Sequence, residues 1–453
     1  MKENIYDQKS IKQLIFIFSV PAILSLIVEV LTSVVDTAFA GHLGIKSANA
    51  LTAMGLISTI LTIFTAIQTL FAISTAIMIA KYLNNRKILN KYFLCGFSMT
   101  MLISILTSLV SYIFLNPILS ILGAKGQVLH LANQYLKIQL VSNIFSAIGY
   151  TLTSCIRAFG YPKIEAIIIT LAVVVNIIFN SVFTFGFSMG IVGLSIGTLI
   201  SEVFGSVFSM IWLYRKKLLF GGYAFRKREF INMAFDLFKI GAAQTVIQML
   251  SSFTGFLINN RLLSLGGSTY IAAWNVSQKL YIFILMPIVG ITQGVQTIIS
   301  YFNGHKEDEK KSKTIKSTII YCMIYGIIAT VGTFLMGDKM LYIFGVTSEI
   351  HRVAIKIIRV IFITFPFVGI LYTIMTLLQV TNREVQAILL GLIRQVFSVI
   401  PFIIIFPIVF SKIDIGITPI FSIFLVIPLA DILSTIVAVI LFKKTSKDLR
   451  LKE

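Results

Sequence analysis

Twelve apolar stretches, each long enough to cross a bilayer, fill almost the whole chain. They lie at roughly 11–40, 48–80, 88–121, 128–158, 162–186, 190–215, 230–262, 268–301, 314–344, 350–379, 384–410 and 416–443. A crossing needs about 20 apolar residues. Several of these stretches exceed 30 and are expected to tilt, bend or project past the lipid. Backbone polar groups in lipid must be satisfied within the segment or across a closed barrel. Unbroken apolar runs of this length therefore read as helices. Only 12% of the 453 residues are charged, against about 25% in soluble domains. The expected fold is an all-α polytopic membrane protein with twelve transmembrane helices.

The formal net charge of +20 would suit a nucleic-acid binder, but its placement argues otherwise. About 26 of the 38 Lys and Arg sit at the two termini and in alternate loops, such as KYLNNRKILNK, RKKLLFGGYAFRKRE and NGHKEDEKKSK. That asymmetry is the positive-inside pattern. It predicts a multi-pass protein of the cell inner (cytoplasmic) membrane with both termini cytoplasmic, the bilayer as its surroundings and no nucleic-acid partner. MKENIYDQKSIK reads as a polar head on an uncleaved first span, not a signal peptide. Cys95, Cys155 and Cys322 have no metal or disulfide spacing, and the four histidines are scattered. No clustered catalytic set faces one interface, so an enzyme is not expected. No cofactor is expected, and the protein reads as a monomer.

The chain repeats itself. GYTLTSCIRAFGYPK at 149–163 lies over LYTIMTLLQVTNREV at 371–385, an offset of 222 that also lays Gly123 over Gly345 and Lys137 over Arg359. WLYRKK at 212–217 and ILFKKT at 440–445 end the two halves alike. Six plus six spans starting on the same side form a parallel repeat, with a pseudo-two-fold axis along the membrane normal. Two six-helix lobes follow, divided within the basic central linker: 1–218 for the N-lobe and 219–453 for the C-lobe.

The first span holds Pro21 and Asp36 inside an apolar helix. Pro21 removes a backbone hydrogen bond and is expected to bend the helix. An acid at membrane depth costs about 2.5–3.5 kcal/mol on insertion scales, so it normally faces a cavity and carries a function. The two are 15 positions apart, about 22 Å along the axis and ~60° around it, so one broad face holds both. Asn176 and Asn180 share a face by their i,i+4 spacing, as do Thr198 and Glu202. Glu202 is expected to line the N-lobe cavity or to pair with a lysine. Asp431 occupies a near-equivalent place in the second half and is expected to pair with Arg394. Lys279 and Arg394 are basic groups in C-half spans. The second half has no acid in the middle of its first span, where Gln244, Gln248 and Asn259 stand.

PAILSLIVEVLTSVVDTAFAGHLG resembles the first helix of the multidrug and toxic compound extrusion (MATE) transporters, with its proline, aspartate and glycine-leucine-glycine turn. ALTAMGLIST, VVNIIFNSVFTFGFSMGIVGLSIGTLIS, QGVQTIISYFNG and LIRQVFSVIPF are similar to that family's second, fifth and sixth, eighth and eleventh helices. The resemblance covers nearly the whole chain and points to the bacterial DinF-like branch. It implies two six-helix lobes forming a V, alternating access, and export of amphipathic, mostly cationic compounds driven by inward H+ or Na+ flow. Asn176 matches a family asparagine and Thr198 a family hydroxyl. Asn180 stands where many DinF-like members carry aspartate, which leaves a proton site or a singly charged sodium site at Asp36. No other metal site is expected. The wider superfamily includes lipid-linked sugar flippases, which remain the alternative function.

Overall fold

The computed structural model describes residues 5–41, 43, 47–218, 226–342, 348–412 and 418–448. The linker 219–225, which carries the C-lobe side of the expected division at 218/219, lies outside the described residues, as do 44–46, 343–347 and 413–417 in three expected outer turns. Every regular element among the described residues is helical. In chain order these are α1 (Ile5–Gln8), α2 (Ile11–Gly41), α3 (Ser47–Lys81), α4 (Arg86–Ile113), α5 (Leu115–Ile121), α6 (Gly126–Ala158), α7 (Pro162–Ser181), α8 (Ile191–Arg215) and α9 (Lys227–Gly304). They continue as α10 (Asp308–Tyr342), α11 (Ser348–Phe362), α12 (Phe365–Val380), α13 (Glu384–Leu392), α14 (Ile400–Phe410) and α15 (Pro419–Asp448). Two π-helical turns, Val182–Gly186 and Ile393–Val399, continue α7 and join α13 to α14.

Ten helices among the described residues are long and apolar enough to cross a membrane, eleven if α11 and α12 form one span bent by 52°. That bend has a local cause. Pro366 has no N–H, which orphans the carbonyl of Phe362. The Thr330 hydroxyl of α10 donates to that carbonyl at 2.9 Å. Gly326 makes the approach possible, since a β-carbon there would lie 2.6 Å from Pro366 Cα. The outer turn expected at LGGST is a difference, because α9 runs through it as continuous helix. Its 78 residues would extend about 117 Å if straight. They contain two spans, Lys227–Leu262 and Thr269–Gly304. LGGST holds no proline, so nothing in it removes a helical hydrogen bond.

The fourth expected span, α6, is a 33-residue helix that is not among these ten, and its polar side chains are numerous. They are spent inside the fold. Gln68 of α3 donates to Asn143 Oδ1 at 2.8 Å, and Asn143 donates to Ser108 of α4 at 2.9 Å. Thr151 and Thr100 meet at 3.3 Å. Such hydrogen bonds join membrane helices where hydrophobic burial cannot, because lipid tails are as apolar as leucine.

Contacts divide the chain into two units. Unit 1 is Met1–Lys9 with Val20–Thr245, and unit 2 is Ser10–Ser19 with Val246–Glu453. In unit 1, α6 packs on α3, α4, α7 and α8. A buried Arg157–Glu165 pair at 2.9 Å ties the end of α6 to the start of α7. Between them Gly160 turns at φ +90°, beneath Ile5 of α1. The start of α9 belongs to this unit: Thr245 donates to Ala66 O at 3.0 Å, and Gly241 presses on the backbone of Leu70. In unit 2, α12 packs on α10 and α15 around Phe362, Phe365 and Phe424. The start of α2 belongs here: a β-carbon on Gly294 would lie 2.8 Å from the Phe18 carbonyl carbon.

Candidate functional site

Three helices of unit 1 bring together the polar residues of the first, fifth and sixth spans. Asp36 projects from α2, Asn176 and Asn180 from α7, and Thr198 from α8. Asn180 is fully buried, Asn176 and Ser201 nearly so, and Asp36 and Thr198 are half-buried. The Asn180 amide donates to Asp36 Oδ1 at 2.6 Å and to Asn176 Oδ1 at 2.9 Å. The Asn176 amide donates to Thr198 Oγ1 at 3.3 Å and to Ser201 Oγ at 3.4 Å. Thr198 in turn donates to the Leu194 carbonyl at 3.0 Å.

This chain has a direction. A carboxylate only accepts, so the amide facing it must present its N–H. Asn180 spends both N–H groups this way, and its own Oδ1 is left buried with no partner. That oxygen lies over Gly197 of α8, where any β-carbon would collide with it and would lie 2.6 Å from the Asn180 backbone nitrogen. Gly193, one turn earlier, gives the same close approach to Phe183 and Thr184. The two glycines form a small-xxx-small face that lets helices touch backbone to backbone. The site thus gathers one carboxylate and neutral oxygens, the donor set suited to a proton or a hard monovalent cation. No group of three or more His, Cys, Asp or Glu able to hold a metal occurs among the described residues.

Gly197→Ala tests this packing. Overfilling a close helix contact costs about 1–3 kcal/mol. The expected result is a lower thermal midpoint in detergent, with Asn180 displaced from Asp36. An unchanged midpoint would show that α7 and α8 separate without cost.

The remaining sequence candidates fall elsewhere. Among the described residues Glu202 shows no lysine pair: it hydrogen-bonds Ser146 of α6 and lies within electrostatic reach of Glu29. Thr198 and Ser201, not Glu202, accept from the Asn176 amide. Arg394 Nε donates to Asp431 Oδ1 at 2.8 Å in unit 2, with the side chains 16% and 1% exposed. Lys279 is exposed on α9. Pro21 is buried inside an unbroken α2, and Ser25 donates to its carbonyl at 2.9 Å. The contact units change at Ser19/Val20, just before that proline. Glu29 went unnoticed in the sequence although it stands seven residues, two helical turns, before Asp36 on the same side. It is exposed despite its mid-helix place.

The MatE family model matches residues 21–182 and again 244–405. Both matches are 223 positions apart from start to start and from end to end, so each half carries one copy. The multidrug export protein MepA of Staphylococcus aureus is 24% identical over 380 residues, 83% of each chain. That of Staphylococcus saprophyticus is 25% identical over 392 residues, 85% of this chain and 86% of the relative. Among solved structures, an outward-facing MATE multidrug resistance transporter superposes with a TM-score of 0.90 at 17% identity, covering 100% of this chain and 99% of the other. A mutant of the Vibrio cholerae MATE transporter VcmN gives 0.89 at 18% identity, covering 97% of both. These likenesses establish the fold. With the family model matched in both halves, the chain belongs to the MatE family and is a multi-pass membrane transporter, not an enzyme.

Proposed function

We propose that the protein is an antiporter that exports amphipathic, mostly cationic compounds by alternating access, coupled to inward flow of H+ or Na+ through Asp36. The observation that carries this reading is the Asp36–Asn180–Asn176–Thr198 chain, a carboxylate held by the Asn180 amide, whose own oxygen has no partner. Binding a proton or Na+ neutralises the carboxylate and weakens its hold on the Asn180 amide, which changes the packing of α2 on α7. Pro21 is the hinge in this reading, supported by the change of contact unit beside it. The protein works as a monomer in the cytoplasmic membrane with both termini inside, as the basic loops indicate. The relatives named multidrug export proteins support the substrate class. A flippase for an anionic lipid-linked sugar or metabolite is the second reading. It is favoured by exposed Lys279 and weakened by Asp431, which neutralises Arg394.

Efflux of a fluorescent cationic dye from cells expressing the chain is the test, with proton and sodium gradients imposed separately. Export is expected to follow one gradient and to stop when that gradient is collapsed. Export indifferent to both would overturn the coupling.

A further inference from the structure

Unit 1 holds a cavity of about 350 Å³. Its walls come from α3, α6, the π-helical turn after α7, and the turn leading into α8; Gln134, Thr184, Ser188 and Met189 line it. Ser188 and Met189 are exposed at its rim, Gln134 is half-buried, and Thr184 is buried at 2% exposure.

Three features distinguish this cavity from a packing defect. First, the Thr184 hydroxyl has no hydrogen-bond partner. Helical threonines elsewhere in the unit donate to the carbonyl four residues back, as Thr151, Thr153 and Thr198 do. A buried hydroxyl without a partner costs about 1–3 kcal/mol, so it marks a place for something polar. Second, the rim is strained. Ser188 has φ +54° and is followed two residues later by Gly190 at φ +59°. A non-glycine residue in that region costs on the order of 1–3 kcal/mol, a cost that clusters at functional sites. Third, the lining leads toward the carboxylate, although Asp36 does not itself line the cavity. Thr184 follows Asn180 by four residues, and Asn180 carries the orphan Oδ1 and donates to Asp36. Tyr135, the neighbour of Gln134, is close enough to Asp36 to feel its charge.

The oxygens run inward from the exposed Ser188 through half-buried Gln134 and buried Thr184 to Asn180, and Asn180 donates to the last of them, on half-buried Asp36. All but the last are neutral. Hard monovalent cations and proton-carrying water both travel along such oxygens, because each replaces part of a hydration shell without trapping the ion. We propose that this cavity is the port by which the coupling cation reaches Asp36 from the membrane face opposite the termini, with Thr184 as the relay ligand between rim and carboxylate. The proposal rests on the reading of Asp36 as the coupling site.

The native thiols, Cys95, Cys155 and Cys322, are all buried, so an introduced thiol is read against a silent background. Thr184→Cys and Gln134→Cys are made separately. Intact cells are treated from outside with a membrane-impermeant quaternary ammonium thiosulfonate, and the thiols left unmodified are counted by gel shift. Both introduced thiols are expected to react while the unsubstituted protein does not. Saturating the coupling ion, sodium in one arm and acid-to-neutral proton loading in the other, is expected to slow the reaction at Thr184→Cys several-fold relative to the exposed reference thiol of Ile121→Cys, which corrects for the thiolate lost in acid, and so to name the ion. Thr184→Val, which keeps the shape and removes the oxygen, is expected to raise the half-saturating cation concentration several-fold. Its effect falls on that concentration more than on the maximal rate, and Thr184→Ser restores it. No reaction from outside at either position, or a reaction indifferent to both cations, overturns the port. Full transport by Asp36→Asn overturns the port together with the coupling reading. Loss of transport in Asp36→Asn with no labelling at the introduced thiols overturns the port alone.

Discussion

Asp36→Asn is expected to reduce gradient-driven export to the level of cells lacking the transporter, with surface abundance unchanged. The substitution keeps the side chain's size. It removes the negative charge that the Asn180 amide addresses at 2.6 Å, and a hydrogen bond to a charged group is worth about 1.5–3 kcal/mol. An asparagine cannot exchange a proton at neutral pH, and its carbonyl binds a monovalent cation without charge attraction. Its carbonyl oxygen can still accept from the Asn180 amide, so the substitution removes the charge and not the contact. Asp36→Glu is expected to retain partial activity, since the charge survives while its position shifts by one methylene. Dye efflux measured beside surface labelling decides the matter, and unimpaired export by Asp36→Asn would remove Asp36 from the mechanism.

The second large effect belongs to unit 2. Arg394→Met is expected to destabilise the protein by about 3–5 kcal/mol, the usual cost of leaving one member of a buried pair alone. The abandoned group would be Asp431, which is 1% exposed and already has an unpartnered Oδ2. Asp431→Leu alone is expected to be similarly costly, because it strands the guanidinium. The double variant should recover most of the loss, since apolar replacements of a whole buried pair are often neutral. Thermal midpoints of the three variants in one detergent check this. Additive losses in the double variant would show that the pair contributes no coupling.

Much of this architecture is legible in the sequence, because a membrane imposes length and apolarity on every crossing. Asp36 declares itself as an acid in an apolar helix, and the i,i+4 spacing of Asn176 and Asn180 aims both amides one way. What the sequence conceals is partner choice. Helical spacing puts Glu202 on the side of Thr198, but it cannot say that Asn176 takes Thr198 and Ser201 while Glu202 meets Ser146 and the field of Glu29. Glu29 escapes notice because the Asp36 signal lies so close to it. The π-helical turns at Val182–Gly186 and Ile393–Val399 leave no compositional mark, since one widened turn uses the same residue types as an ordinary one. The LGGST segment misleads the other way. Glycine pairs usually signal a turn, yet here helical bonding passes through them.

The exchange of helix starts between the contact units bears on how such a chain arises. Residues 10–19 belong with the second unit, while α9 up to Thr245 belongs with the first. The 223-residue spacing of the two family matches carries Phe18 onto Gly241 and Phe71 onto Gly294. The helix starts meet their hosts at these positions to within one residue, Gly241 on Leu70 and Phe18 on Gly294. The arrangement is a reciprocal domain swap closed within one polypeptide. A half-length ancestor forming a dimer by trading the leading segments of its first helices would already own both contacts. Gene duplication and fusion would then need only a linker and no new interface. By the same logic, the two halves made as separate chains can be complete only when they are made together.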